Sequence, residues 1–217
     1  AKMIAPQLRV TALSKAFGGV MAVDQVSFDL EAGKVNSIIG PNGAGKTTLL
    51  NLLTGVYAPS AGKVAFEGAD VTGLAPHRLA ARGMARTFQN LQIFFNMSAL
   101  ENVMVGRHLR ERAGWLAAML RSPRLIAGER ESRGEAAELM QFVGLGEYLD
   151  AEADAMPYGA LKRLEIARAL GGRPKLLLLD EPAAGLNQTE TQAINGLITR
   201  LAKSGVTVVL VEHNMRL

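Results

Sequence analysis

The chain has 217 residues, 48% hydrophobic and 20% charged, which is enough apolar content for one packed domain and too much for a disordered chain. It has no cysteine, which excludes disulfides and thiolate metal sites. Its 24 basic and 20 acidic residues form no long basic block, so we expect a solvated surface that binds no nucleic acid. No apolar run approaches the ~18 residues of a membrane span, and no signal peptide is recognisable. We therefore expect a cytoplasmic chain.

The first 66 residues predict antiparallel strands. Apolar residues alternate with polar ones, with the period of half-buried strands. They are Leu8, Val10 and Ala12 before the Gly18-Gly19 turn, and Val26, Phe28 and Leu30 after it. A further strand is predicted at Val64-Ala65-Phe66, ending in a turn at Gly68-Ala69-Asp70. These segments predict an antiparallel β flap.

A glycine-rich loop follows a predicted buried strand at 35–39. Its residues, Gly40-Pro41-Asn42-Gly43-Ala44-Gly45-Lys46-Thr47-Thr48, fill the pattern G-x-x-x-x-G-K-[ST], and a helix is predicted from Thr48 to Thr54, ended by Gly55. A strand, a glycine turn and a helix N-terminus direct several backbone N–H groups at one point, which suits a polyphosphate. Lys46 can reach the outer phosphates, and the Thr47 hydroxyl can ligate Mg²⁺. The loop therefore predicts binding of a nucleoside triphosphate.

The rest of the chain predicts a parallel sheet and a helical block. Short continuous apolar runs at 35–39, 176–179 and 206–211 are typical of strands buried on both faces of a parallel sheet. Helical apolar stripes dominate from about Ala99 to Leu170, and a later helix carries Ile194, Leu197, Ile198 and Leu201 on one face. The predicted fold class is α/β: a mainly parallel core with an antiparallel β flap and an inserted helical subdomain.

Two adjacent carboxylates follow the most apolar run. Asp180 and Glu181 come directly after four leucines, at the carboxyl end of a predicted parallel strand, the edge where ligands bind in such sheets. Asp180 would hold Mg²⁺, directly or through water, beside the phosphate loop. Glu181 could accept a proton from the attacking water.

With these residues in place, the chain resembles the ATP-binding-cassette ATPases, and the resemblance covers essentially its whole length. The family's marks occur in order: Phe17, the phosphate loop, Arg86-Thr87-Phe88-Gln89, Met156-Pro157-Tyr158-Gly159-Ala160, Leu178 to Pro182, Ala184-Gly185-Leu186-Asn187, and His213. The stretches around Tyr158-Gly159 and Asp180-Glu181 look specifically like the LivG-type subunits of bacterial branched-chain amino-acid importers.

The resemblance implies roles for single residues. Phe17 would stack on the adenine of ATP, and Gln89 would touch Mg²⁺ or the attacking water and relay nucleotide occupancy to a membrane partner. His213 would contact the γ-phosphate and hold the water against Glu181. Tyr158 and Gly159 would close over the ATP of a second subunit, because such ATPases pair head to tail.

The resemblance also implies partners and a location. We expect a second ATPase subunit, integral membrane permease subunits at the segments 86–90 and 96–103, an indirect link to a periplasmic binding protein, and a peripheral position at the cytoplasmic face of the inner membrane. The common signature Leu-Ser-Gly-Gly-Gln is degenerate here and Asn187 stands where aspartate is usual, so we expect a weaker trans site and a heterodimer. The stretch from Arg107 to Arg124, which carries Trp115, fits either packing inside the helical subdomain or contact with a membrane.

Three alternative functions can be compared with the sequence. Asp70-Val71-Thr72-Gly73 matches a GTPase switch motif, but no N-K-x-D guanine motif follows it. An ATPase of this family that acts on nucleic acid or ribosomes is the second alternative; such proteins tend to carry paired cassettes, coiled coils or zinc cysteines, which this chain lacks. The third is a nucleotide-binding module without turnover, against which Glu181, Gln89 and His213 argue.

The expected organisation is one ATPase domain over residues 1–217. Residues 1–85 and 171–217 would form the core with its β flap, and residues 86–170 would form the helical subdomain. Because the family continues with further strands and helices after the position of His213, we expect a C-terminal part of the family domain to be absent here.

Overall fold

The fold is built on two four-stranded sheets. The computed structural model describes residues 5–107 and 123–212; His213 and most of the stretch around Trp115 lie outside these residues. The antiparallel sheet contains β1 (Leu8–Phe17), β2 (Val20–Leu30), β4 (Ala61–Phe66) and β5 (Ala69–Asp70), in the spatial order β2-β1-β4-β5. The parallel sheet contains β3 (Val35–Ile39), β6 (Met84–Arg86), β7 (Leu176–Asp180) and β8 (Thr207–Glu212), in the order β3-β8-β7-β6. The predicted α/β class, a parallel core with an antiparallel flap, is confirmed.

The alternation predicted for β1 is wrong at Ala12. Leu8 and Val10 are buried as expected, but Ala12 has φ +46° and is exposed, and Leu13 takes the next buried position. The pairing with β2 shifts accordingly, from Val10 opposite Phe28 to Leu13 opposite Val26. The cause is a β-bulge, which inserts one residue and moves the following side chains to the other face.

Burial on both faces is confirmed for β7 and β8 but wrong for β3. The leucines of β7 are completely buried, whereas the side chains of Val35 and Ile39 are 42% and 50% exposed. Among the described strands, β3 stands at the edge of the sheet and pairs with β8. Its Ile38 packs against the core between the two sheets, so among the described residues only one face of β3 has a close apolar cover.

Six helices lie among the described residues. They are α1 (Lys46–Leu53), α2 (Pro76–Ala81), α3 (Ala99–Arg107), α4 (Pro123–Phe142), α5 (Tyr158–Leu170) and α6 (Gln188–Lys203), with two short 3₁₀ turns at Gly146–Tyr148 and Ala153–Ala155. Helix α1 begins two residues before its predicted start, and Gly55 follows it with φ +72°. Helix α6 begins with a reciprocal capping box, in which the side chains of Asn187 and Glu190 each accept from the other residue's backbone N–H.

Two hydrophobic cores hold these elements together. One lies between the sheets and includes Phe66, Leu50 and one face of the leucines of β7. The other joins the opposite face of β7 to α3, α4, α5 and α6. The helical block predicted from about 99 to 170 is confirmed over its described residues, 99–107 and 123–170, while its designation as a subdomain with bounds 86 and 170 stays a prediction. Across the described ranges, no helix has the length and apolar content to cross a membrane.

Candidate nucleotide site

The phosphate loop lies between the two sheets. It runs from the end of β3 to Lys46, and the Ala44 amide donates to the Pro41 carbonyl at 3.2 Å inside it. Gly45 is the N-cap of α1 and has φ +82°. A Cβ added to it would lie 2.3 Å from the carbonyl oxygen of Ala22 in β2. Glycine is required here both for the left-handed backbone and for this close approach.

The loop carries an uncompensated positive end. Helix α1 has no side-chain cap and no acidic residue in its first turn, so neither of these reduces the partial positive charge that its N-terminus directs at the loop. The ammonium of Lys46 folds over the same loop and donates to the carbonyls of Gly40 at 2.6 Å and Pro41 at 2.9 Å. This cradle of N–H groups and one ammonium suits an anion with several oxygens.

Asp180 lies at the carboxyl edge of β7 in a buried ion pair. Its Oδ2 accepts from Arg86 at 2.9 Å, and the two side chains are only 4% and 6% exposed. The same guanidinium donates to the Asn51 side chain of α1 at 2.5 Å. Asp180 is therefore connected, through one residue, to the helix that follows the phosphate loop.

Glu181 turns away from the strand line. It has φ +48°, a conformation that costs free energy for a residue with a side chain and that is frequent at functional sites. Its backbone N–H donates to the Val211 carbonyl of β8 at 3.0 Å, and its carboxylate accepts from the Gln89 side chain at 3.3 Å. The fold thus brings together two predicted site residues that lie 92 positions apart in sequence.

Helix α5 holds the segment that carries Gln89. The ammonium of Lys162 donates to the Gln89 carbonyl at 3.2 Å, and the Glu165 carboxylate accepts from the Phe88 N–H at 3.2 Å. Both side chains belong to buried residues. Burial raises the pKa of the Glu165 carboxyl above its ordinary value, and it lowers the pKa of the neighbouring Arg168 guanidinium.

The predicted signature lies at the N-terminus of the same helix. Pro157 is the N-cap and supplies no side-chain hydrogen bond. Gly159 is buried against Glu190 of α6, where an added Cβ would lie 2.3 Å from a Glu190 carboxylate oxygen. Tyr158 is 45% exposed and packs beside Gly185. The signature and the Ala184–Asn187 segment therefore form one continuous surface of the chain.

Phe17 ends β1 as an exposed aromatic. It is 42% exposed, and its ring meets the Tyr57 ring edge-on with centroids 5.2 Å apart. The hairpin that pairs Phe17 with Val20 runs into the part of β2 whose Ala22 touches the phosphate loop. The Lys15 ammonium lies over the same ring, 5.1 Å from its centroid. An exposed aromatic ring is the kind of surface on which a base stacks.

The donor set at the sheet edge suits Mg²⁺. Its predicted ligands are a hydroxyl (Thr47), an amide (Gln89) and a carboxylate (Asp180), all of which offer oxygen. Within the described residues no group of three or more His, Cys, Asp or Glu side chains could hold a metal ion. A single carboxylate fits magnesium, which commonly binds with one or two carboxylates and the phosphates of its nucleotide.

A groove opens beside this edge, between the parallel sheet and the helices. Its volume is about 400 Å³, and its walls are mostly apolar. They include Val56, Phe88, Phe94, Val105, Glu165 and Arg168. Arg86, which pairs with Asp180 at the sheet edge, and Phe88 both line the groove.

Sequence reasoning gave no separate role to four side chains that organise the site. They are Asn51, Arg86, Lys162 and Glu165. Each contacts a residue far away in the chain, and the local pattern around it is that of an ordinary helix or strand. For Glu165 and Lys162, the one available signal was their polarity at positions that the helical stripe of α5 places close to the core.

The proteins that this chain resembles agree with this geometry. The model of the family described as "ABC transporter" matches residues 23–184. The chain is 44% identical to the high-affinity branched-chain amino acid transport ATP-binding protein BraF of Pseudomonas aeruginosa, and 39% identical to the corresponding protein LivG of Escherichia coli K12; each alignment covers 99% of this chain and 85% of the relative. A dimeric bacterial ABC transporter cassette has a similar structure, with a TM-score of 0.79 and 26% identity over 96% of this chain and 88% of that one.

The buried Glu165 carboxyl predicts a specific pH dependence. Its pKa is raised in the folded state, so the unfolded chain loses this proton at lower pH, and stability attributable to Glu165 falls as pH rises above about 4.5. In Glu165→Gln this component disappears. In urea unfolding at several pH values, the free energy of unfolding of the variant should therefore increase relative to that of the wild type as pH rises.

The matched control is Glu101→Gln. Hydrogen bonds from Ser98 lower the pKa of Glu101, so the stability of the wild type should rise relative to this variant as pH increases to about 4.5, and the difference should stay constant at higher pH. If both variants follow the wild-type curve in parallel, the assignment of the raised pKa to Glu165 is wrong.

Proposed function

The chain belongs to the ABC transporter family, and from that premise we propose that it hydrolyses ATP to power an importer of branched-chain or other hydrophobic amino acids. The observation that carries the proposal is the junction of the phosphate loop, the Asp180–Glu181 edge and Gln89 at one end of the parallel sheet. The names of BraF and LivG support the substrate class. They give no support to the alternative of an ATPase acting on nucleic acid or ribosomes.

The residues of the loop would bind the triphosphate. Backbone N–H groups from 43 to 48 would surround the β-phosphate, and Lys46 would leave the carbonyls of Gly40 and Pro41 to neutralise charge on the outer phosphates. This exchange is favourable because an ammonium gains more from a phosphate than from two neutral carbonyls. Phe17 would stack on the adenine.

Thr47, Asp180 and Gln89 would hold Mg²⁺. When bound, the ion would supply positive charge that offsets the negative charge developing on the phosphates during phosphoryl transfer. The chain's own contribution is to fix three oxygen ligands at one sheet edge.

Glu181 and His213 would orient the attacking water. The Glu181 carboxylate can accept the water's proton, and Gln89, already at hydrogen-bond distance from it, would report whether the γ-phosphate side of the site is filled. His213 would contact the γ-phosphate. Its role rests on sequence resemblance, because it lies outside the described residues.

Replacing Glu181 with Gln tests the proposed reaction. Without the carboxylate no group accepts the proton, so we expect the rate of ATP hydrolysis to fall by at least about 100-fold, while ATP binding stays within about twofold. Hydrolysis would be measured by phosphate release and binding with a fluorescent ATP analogue. Glu67→Gln, which removes an exposed carboxylate outside the site, is the control; hydrolysis at the wild-type rate in Glu181→Gln would exclude Glu181 as the base.

A second subunit would complete the site. Tyr158 and Gly159, at the N-terminus of α5, would approach the triphosphate that is bound by the partner's loop. In this chain the signature offers no serine or other side-chain cap, so the contact would depend on backbone N–H groups and on the Tyr158 ring. We therefore propose a heterodimer, in which a second cassette with a different signature gives two unequal ATP sites.

The inequality of the two sites can be measured in the assembled transporter. The catalytic glutamate would be replaced by Gln in this subunit, in the other, and in both. Unequal sites predict losses of hydrolysis that differ by at least about tenfold between the two single variants. Equal losses would contradict the heterodimer proposal and leave the proposal for ATP hydrolysis intact.

The apolar groove would receive the permease. Its walls include exposed aromatic residues, which are frequent in protein interfaces, and it adjoins the segments 86–90 and 96–103 that we assign to the membrane partner. Docking there would bring the chain to the cytoplasmic face of the inner membrane as a peripheral subunit. The periplasmic binding protein would act through the permease.

Placing a charge in the groove tests this docking. Val105 is 40% exposed on its wall, so Val105→Glu should bury a carboxylate among the mostly apolar side chains of the groove on assembly and reduce co-purification with the permease at least about tenfold. Gly134→Glu adds the same charge on α4, where a new side chain meets nothing within 4 Å, and should co-purify normally. ATP binding by the isolated chain should not change in either variant. Normal co-purification of Val105→Glu would exclude the groove as the docking site.

A further inference from the structure

We infer that Arg86 is a positioning residue for the Mg²⁺-binding carboxylate of Asp180. Its guanidinium links three elements: the phosphate-loop helix α1, the strand β7 and the segment that leads to Gln89. The inference rests on the proposed function, since it assumes that Asp180 holds Mg²⁺. It adds a residue that has no role in the proposal so far. Its basis is the set of contacts made by one buried guanidinium.

The first contact fixes one oxygen of the carboxylate. Arg86 donates from Nη2 to Asp180 Oδ2 at 2.9 Å, with both side chains almost fully buried. Asp180 Oδ1 makes no hydrogen bond to another described residue. With Oδ2 occupied by the guanidinium, Oδ1 is the oxygen left for the ion or for a water bound to it.

The second contact ties this carboxylate to the phosphate loop. From Nη1 the guanidinium donates to Asn51 Oδ1 at 2.5 Å and to Thr54 Oγ1 at 3.4 Å. Both acceptors belong to α1 and its C-cap, the helix whose first turn carries Lys46 and Thr47. Because a guanidinium is planar and rigid, its two Nη groups hold Asp180 and α1 at a fixed spacing.

The third contact reaches the groove. The Arg86 guanidinium carbon lies 4.8 Å from the centroid of the Phe88 ring, and Phe88 is 41% exposed on the groove wall. This cation–π contact places Phe88 on one side of the guanidinium and Asp180 at its edge. The backbone from Arg86 to Gln89 is thereby anchored at both ends, by Arg86 to Asp180 and by Gln89 to Glu181.

A lysine at this position would keep the charge and lose the geometry. An ammonium can pair with Asp180, but it cannot present two rigid parallel donors to Asp180 and Asn51 together. Arg86→Lys therefore separates the electrostatic contribution of the residue from its contribution to spacing. Asn51→Ala removes one anchor of the guanidinium while the buried ion pair stays in place.

The experiment measures Mg²⁺ dependence of nucleotide binding rather than hydrolysis. Binding of fluorescent ATP to the full chain would be titrated in EDTA and at increasing Mg²⁺, and thermal unfolding would be recorded for each variant. For Arg86→Lys we expect binding in EDTA within twofold of the wild type, and at least a fivefold increase in the Mg²⁺ concentration for half-maximal enhancement. Asn51→Ala should shift this concentration in the same direction by a smaller factor, and it remains informative if Arg86→Lys does not fold.

Two further variants complete the design. Arg9→Lys alters an exposed two-point pair with Asp29 in the antiparallel sheet and should leave the Mg²⁺ titration unchanged. Asp180→Asn should remove the Mg²⁺ enhancement, and adding Arg86→Lys to it should have no further effect, because Arg86 acts through Asp180.

The outcomes separate the inference from the function on which it rests. A lowered unfolding temperature with a wild-type Mg²⁺ titration in both Arg86→Lys and Asn51→Ala would make Arg86 a purely structural residue and overturn the inference. A wild-type protein whose nucleotide binding ignores Mg²⁺ would contradict the proposed function itself, and the inference with it.

Discussion

Burial of β7 on both faces is the constraint on which the site depends. Its four leucines alternate between the two cores, which fixes the register of β7 and the face on which each side chain lies. The polar residues that follow therefore emerge at the carboxyl edge of the sheet. The neighbouring strands end at the same edge, as parallel strands do. Arg86 on one side and Val211 on the other then fix Asp180 and Glu181 through an ion pair and a backbone hydrogen bond.

Helix α5 connects the segment that carries Gln89 to the signature at Tyr158 and Gly159. Lys162 and Glu165 of this helix hydrogen-bond to the backbone of Gln89 and Phe88. Its first turn carries Tyr158 and Gly159. A shift of the Gln89 segment would therefore be transmitted along the helix to the surface that carries Tyr158 and Gly159. The packing of Gly159 against Glu190 extends the same unit into α6.

Sequence alone predicted the elements whose signals are local. The phosphate loop, the leucine strand before Asp180 and the apolar stripes of α5 and α6 each occupy a short window, and each was predicted correctly in type. The bulge at Ala12 was not predicted, because an alternating pattern contains no sign of the residue at which the register shifts. The exposure of β3 was missed because an apolar run looks the same in a central strand and in an edge strand.

The contacts around Asp180 were beyond sequence reasoning for another reason. Arg86 and Asp180 are 94 positions apart. The sequence around an arginine at the end of a short strand does not indicate that it has a buried acidic partner. Such a pair becomes visible only when the order of strands is known, since it follows from β6 lying beside β7. The roles of single residues at this edge, Arg86 included, therefore remain predictions for experiment.

The close approach of Gly45 to the Ala22 carbonyl has a consequence for how the molecule must assemble. One wall of the phosphate loop belongs to the antiparallel sheet, although strand, loop and helix are contiguous in sequence. A fragment restricted to residues 35–54 would carry every letter of the motif and still lack that wall. The loop acquires its shape only when the two sheets have come together, so the binding site is a product of the completed fold and cannot precede it.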